Sequence, residues 1–157
     1  MQSLKRISGR LLSFLHKSGP GEIDKSSGRN LLVVDDEESI CFSMREYFSQ
    51  HGFKVDTAKE LEEAEGLITT TSYKVIIQDL RLGLAGHPDG IEIIKLVHQR
   101  NPDTRIVVLT SYGSQEVEEE ARRAGADAFL RKPKPLSQVA QVVQGLIESP
   151  RARTVRA

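Results

Sequence analysis

One cysteine, Cys41, is all that the 157 residues contain. That excludes a disulfide framework and a thiolate metal centre, and a reducing, cytoplasmic setting is the simple expectation. On its helix Cys41 reads as a small apolar residue. The four histidines, His16, His51, His87 and His98, share no ligand spacing and read as surface residues. No apolar run approaches the ~20 residues that span a bilayer. The early apolar stretch is not a convincing secretory signal, because Ser8, Gly9, Arg10 and Ser13 interrupt it. Internal repeats and low-complexity tracts are absent, and the length suits one domain with a proper core.

The formal net charge of zero conceals three zones. Residues 1–29 carry six Lys/Arg against Glu22 and Asp24, a net of +4. Residues 150–157 carry three arginines and no acid, and residues 30–149 hold 13 bases against 20 acids, a net of −7. An acidic domain between two basic arms is not expected to bind nucleic acid, which needs Lys and Arg clustered on one face. Within the first arm, residues 3–17 place Leu4, Ile7, Leu11, Leu12, Phe14 and Leu15 on one face at helical spacing. Lys5, Arg6, Arg10 and Lys17 lie mostly opposite. Such a segment suits an anionic membrane surface or a partner's groove, and the plainer expectations are a floppy tail that binds nothing or a helix folded back on its own domain. Gly19-Pro20-Gly21 ends it, and the polar stretch to Arg29 reads as linker.

From Asn30 onward, strands alternate with helices. Leu31 to Val34 is a buried strand ending in Asp35-Asp36, and Glu37 to His51 is a helix with Ile40, Met44, Tyr47 and Phe48 inward, stopped by Gly52. Phe53 to Thr57 alternates as a half-buried strand, and Leu61, Ala64, Leu67 and Ile68 mark a second helix. Val75-Ile76-Ile77 is a β-branched run suited to a strand buried on both faces; it leads through Gln78 to Asp79 and a loop with Gly83, Gly86 and Gly90. Ile91, Ile94, Leu96 and Val97 line a third helix, Arg105 to Leu109 is a fourth strand ending at Thr110-Ser111, and Val117, Ala121 and Ala124 line a fourth helix closed by Gly125. Ala128-Phe129-Leu130 forms a short fifth strand that delivers Lys132-Pro133. Pro135 opens a last helix with Leu136, Val139, Val142, Val143, Leu146 and Ile147 inward. Five β-α units of this kind require a parallel sheet with helices on both faces.

Four of the five strands finish in a polar group: Asp35-Asp36, Asp79, Thr110-Ser111 and Lys132. In a parallel sheet these share one edge, and strands about 4.8 Å apart bring them together. An aspartate at such a strand end is costly as core filling and lies in the crevice where open α/β sheets bind ligands. Asp35 and Asp36 alone also suit a cap for the following helix. Three carboxylates against one lysine leave surplus negative charge, which a hard divalent cation relieves. With a cation in place a carboxylate can attack a phosphoryl group, its equatorial oxygens shared among metal, ammonium and hydroxyl.

Asp35-Asp36, Asp79, Thr110-Ser111 and Lys132-Pro133, in that order and spacing, resemble the receiver domain of bacterial two-component response regulators over about residues 30–149. The resemblance implies a flavodoxin-like doubly wound sheet of order 2-1-3-4-5. It implies Asp79 as the phosphoacceptor for a sensor histidine kinase or phosphotransfer protein. It also implies Mg²⁺ held by Asp36, Asp79 and the backbone carbonyl of Arg81, with Asp35 acting through water. Lys132 and Thr110 would contact the phosphoryl oxygens, Phe129 would take the aromatic switch position, and Lys132-Pro133 is often a cis peptide in this family. Arg81 and Tyr112 fall where the family tunes acyl-phosphate hydrolysis, and a bulky pair there implies a long-lived phosphorylated state. The loop after Asp79 departs from the pattern: it is roughly three residues longer, with Gly83 where a proline is common. The chain leaves no room for a helix-turn-helix or enzymatic output, so signalling through protein contacts is expected. Two rivals are a docking module that is never phosphorylated and an aspartyl-phosphate phosphohydrolase. The second usually wants an acid two residues after the nucleophile, where this chain has Arg81.

Overall fold

The computed structural model describes residues 28–82 and 90–149. The expectations for most of the first arm, for the loop from Gly83 to Asp89 and for the tail from 150 lie outside the described residues. The elements are β1 (Asn30–Val34), α1 (Glu38–Gln50), β2 (Lys54–Ala58), α2 (Leu61–Thr70), β3 (Val75–Gln78), α3 (Gly90–Arg100), β4 (Arg105–Thr110), α4 (Gln115–Ala124), β5 (Ala128–Arg131) and α5 (Leu136–Glu148). All strand pairs are parallel and the order is β2-β1-β3-β4-β5, as the resemblance implied.

Period-two alternation splits the core between the two faces of the sheet. Leu32, Val34, Ile76, Ile106 and Val108 face α2, α3 and α4. Leu31, Val33, Val75, Ile77 and Val107 face α1 and α5. The inner strands β3 and β4 are covered on both sides, which is why their sequences are continuous apolar runs without alternation. Each such side chain contributes about 1.5–3 kcal/mol through burial. The edge strand β2 is only half covered: Lys54 is exposed, Val55, Asp56 and Thr57 are half-buried, and only Ala58 is buried.

The helices bury narrower stripes than their sequences suggested. In α1 the buried residues are Cys41, Met44 and Phe48, while Ile40 and Tyr47 are half-buried at the margin. Phe48 packs edge-on against Phe53 with ring centroids 5.6 Å apart. In α3 the sequence pointed to Leu96, yet Ile93 is fully buried and Leu96 is half-exposed. The i, i+3, i+4 stripe is Gly90, Ile93, Ile94 and Val97, and Leu96 falls at its edge. Gly52 (φ 84) and Gly125 (φ 126) close α1 and α4 in the conformation that other residues resist.

Candidate functional site

Register places the strand tips. Val34 pairs with Gln78 across β1 and β3, so Asp35 and Asp79, one residue further, stand side by side. The ladder continues past the ends: the Asp79 amide donates to Val34 O at 2.9 Å and the Lys132 amide to Thr110 O at 2.9 Å. Thr110, the last residue of β4, pairs with Arg131 and so presents the next residue, Lys132, to the same pocket.

The side chains converge accordingly. Lys132 Nζ lies 2.8 Å from Asp35 Oδ2, 3.0 Å from Asp79 Oδ2 and 3.7 Å from Glu37 Oε1. The Thr110 hydroxyl donates to Asp79 Oδ1 at 2.7 Å and itself accepts the Tyr112 amide at 3.2 Å. Asp35 Oδ1 accepts the Glu37 amide at 2.9 Å, and Asp79 Oδ1 also accepts the Arg81 amide at 3.3 Å. Asp35, Asp79 and Thr110 are buried, whereas Asp36 and Glu37 face solvent. Burial pushes the Asp35 carboxyl above its ordinary range, a shift that the Lys132 ammonium and the Glu37 amide partly offset. Burial alone would lower the Lys132 ammonium. Its hydrogen bonds to Asp35 and Asp79 outweigh that, so it is held well above its ordinary value and fully charged.

One carboxylate oxygen from each of Asp35, Asp36 and Asp79 falls within 4.8 Å of the other two. Three hard oxygen donors so placed, two buried and one open to solvent, fit a divalent cation that retains several waters. Arg81 and Tyr112 stack over each other at the rim, the guanidinium carbon 3.1 Å from the ring centroid. Phe129 is buried against the β4–α4 loop: a Cβ on Gly113 would come within 2.8 Å of its ring. The Lys132-Pro133 peptide is cis.

Sequence reasoning missed several residues around the site. Glu37 is a third acid within reach of Lys132, and its place directly after Asp36 was the available signal. The Cys41 thiol donates to the Asp35 carbonyl at 3.2 Å. Gly90, which looked like one loop glycine among three, sits where a Cβ would lie 2.6 Å from both Asp79 O and Leu80 Cα. Its absent side chain lets α3 start against the backbone of the site. Arg131 Nη1 donates to the Gly113 carbonyl, and Nη2 lies 3.2 Å from Glu118. No spacing rule would have paired those residues.

A doubly wound parallel sheet that gathers acids, a hydroxyl and an ammonium at its carboxyl edge defines the flavodoxin-like class of receiver folds. Comparison with known proteins is specific. The response regulator receiver domain model matches residues 31–144. The photosynthetic apparatus regulatory protein RegA of Cereibacter sphaeroides is 31% identical over 121 residues, covering 77% of this chain and 64% of that protein. A response regulator structure from Burkholderia pseudomallei, solved with a phosphorylated aspartic acid, a calcium ion and citrate, is 29% identical. It superposes with a TM-score of 0.69 over 76% of this chain and 69% of the other. The beryllofluoride-activated NtrC4 receiver domain dimer is 34% identical, with a TM-score of 0.67 over 76% of this chain and 96% of that one.

The chain therefore belongs to the response regulator receiver domain family of two-component systems. Membership implies phosphorylation on an aspartate. The chain spans 64% and 56% of the length of two RegA relatives. Among the described residues, no helix is long and apolar enough to cross a membrane.

Proposed function

We propose that this protein is a cytoplasmic phosphorelay response regulator in which Asp79 accepts a phosphoryl group from a sensor histidine kinase or phosphotransfer protein. The observation that carries this reading is the Asp79 carboxylate, held between the Thr110 hydroxyl at 2.7 Å and the Lys132 ammonium at 3.0 Å beside two further acids. An Asp79 carboxylate oxygen attacks phosphorus in line, and the phosphorus–nitrogen bond of the donor breaks. The imidazole leaves with the electron pair and takes a proton, and an acyl phosphate remains. Lys132 keeps its proton throughout and neutralises the incoming charge, having been stripped of competing water by burial. Thr110, released from Asp79 Oδ1, turns its hydroxyl to a phosphoryl oxygen, and the space it leaves admits Phe129.

Asp35, Asp36, Asp79 and the Arg81 carbonyl would hold Mg²⁺, which when bound supplies positive charge to the transferring oxygens. Acquiring about two negative charges at this edge redistributes contacts along α4, β5 and α5. A coupling of this kind is typically ~1–3 kcal/mol, and a downstream protein target reads it. The Arg81–Tyr112 stack covers the phosphoryl position and slows attack by water, so the phosphorylated state is long-lived and any turnover is slow self-hydrolysis. Arg81, standing where a phosphohydrolase would carry its second acid, argues against enzymatic turnover.

Incubation with a small acyl phosphate and Mg²⁺, read by intact mass, tests the proposal. Wild type gains one phosphoryl group and Asp79→Asn gains none. Equal uptake by both would sink it. Following the same species after donor removal tests the stack: Tyr112→Ala should shorten the half-life by about tenfold, and an unchanged half-life removes the shielding role.

A further inference from the structure

The seam between α1 and α5 is an open furrow. Two grooves of about 390 Å³ each lie along it. The first, beside the phosphoacceptor pocket, is floored by Ile40, Met44 and Leu136. The second, at the other end of the helices, is floored by Tyr47, Phe48 and Ala140. The α5 wall is unusual for this chain. Residues 136–147 carry no charge at all, although 28% of the whole sequence is charged. Its outward positions, Ser137, Gln138, Gln141, Gln144 and Gly145, are exposed and neutral. A Cβ on Gly145 would meet nothing within 4 Å, so this fold does not itself require a glycine there. Charge depletion over a partly apolar floor is the compositional mark of the centre of an interface.

The chain enters the described fold at one end of this furrow. Arg29 donates to the His51 carbonyl at 3.4 Å and lies 5.6 Å from the Phe53 ring centroid. His51 and Phe53 both line the second groove. We propose that residues 3–17 dock as an amphipathic helix along the α1–α5 furrow of their own domain.

Dimensions agree. Fifteen helical residues span about 22 Å, against about 20 Å for the thirteen residues of α1 or of α5. Residues 18–27 reach about 33 Å when extended, more than the furrow's length. Leu4, Ile7, Leu11 and Phe14 recur at alternating spacings of three and four, the pattern that seats one helix against two others. With this face down, Lys5, Arg6 and Arg10 point outward over a domain of net charge −7. Attachment through so short a linker gives the arm an effective concentration in the millimolar range, so even a weak contact is well occupied. The proposal does not depend on phosphorylation at Asp79.

The test uses the full chain. A nitroxide is placed at Ser13→Cys with Cys41→Ala, because Cys41 is buried in α1, and amide signals are read by NMR. Docking predicts broadening at Tyr47, His51, Gln141 and Gln144 but not in α4, and loss of that broadening in Leu11→Asp/Leu12→Asp. Hydrogen exchange with the native cysteine retained gives a second reading: the same pair of substitutions should speed amide exchange along α5 by about tenfold. Absence of both effects overturns the proposal. So does broadening that appears only when spin-labelled and isotope-labelled chains are mixed, which would assign the furrow to a second copy. Capture by phosphatidylserine vesicles with the furrow amides unchanged would overturn it in favour of a lipid surface.

Discussion

The two edges of the sheet bury charge in opposite ways. At the amino edge Arg105 meets Asp127 at 3.1 Å, with both side chains about nine-tenths buried. The other Asp127 oxygen accepts the Ile106 amide at 2.8 Å, and Arg105 also donates to the Ser149 carbonyl. Beside this pair the Thr104 hydroxyl donates to Tyr73 O and the Tyr73 hydroxyl to Asp56, each at 2.7 Å. At the carboxyl edge Asp35 and Asp79 share a single ammonium, Lys132, with a third carboxylate, Asp36, clustered beside them. In one arrangement a buried acid meets a buried base; the other gathers three acids around one base and retains negative charge that a cation from outside can balance. A buried pair that satisfies itself is structural, whereas a surplus maintained against its desolvation cost marks the place where the protein exchanges something with solvent.

Breaking each edge should therefore give different losses. Asp127→Ala leaves Arg105 buried and unpaired and should cost about 3–5 kcal/mol in urea unfolding, with phosphoryl uptake per folded molecule unchanged. Lys132→Ala should do the reverse, slowing uptake from a small acyl phosphate by about 10²–10³-fold in single-turnover mass measurements while the fold persists.

Tyr73 sharpens the contrast through pH. Burial, then its hydrogen bond to Asp56, raises its hydroxyl well above the ordinary value. The folded state thus favours the protonated phenol. Its contribution is complete below the unfolded value near pH 10 and is lost as pH rises from there through the folded value. Tyr73→Phe should lower stability at pH 7 by about 1 kcal/mol and make the alkaline decline shallower. Equal alkaline slopes for both proteins would count against this.

Asp35→Asn should have the smallest effect and the opposite sign. With its folded value raised, the favourable contribution of Asp35 exists at acid pH and is gone once pH passes through that value. Without divalent cations at pH 7, the asparagine variant should be more stable by up to about 1 kcal/mol.

The carboxyl edge was legible because each of its groups ends an apolar run, and a run of Val and Ile leading into Asp79 has few readings. Element order followed from the same β-branched runs. Strand order did not: parallel strands of similar composition carry no label of their neighbours, and order 2-1-3-4-5 came from the family resemblance. The amino edge was invisible because Arg105 and Asp127 are 22 residues apart and each resembles a surface charge until the register brings β4 beside β5. Ile93 was lost to Leu96 because an apolar helix offers more hydrophobic positions than its stripe can bury. Gly90 was legible as a glycine but not as a contact, since its role depends on the backbone of Asp79 and Leu80, across the loop from it.

Thermal unfolding against rising Mg²⁺ tests the claim of a surplus at one edge most directly. Stability should rise by about 1.4 kcal/mol when Mg²⁺ reaches ten times its dissociation constant. Asp127→Ala, though less stable, should show the same increment, and Asp36→Asn should lose most of it. An equal Mg²⁺ response in wild type and Asp36→Asn, or none in either, would contradict the account.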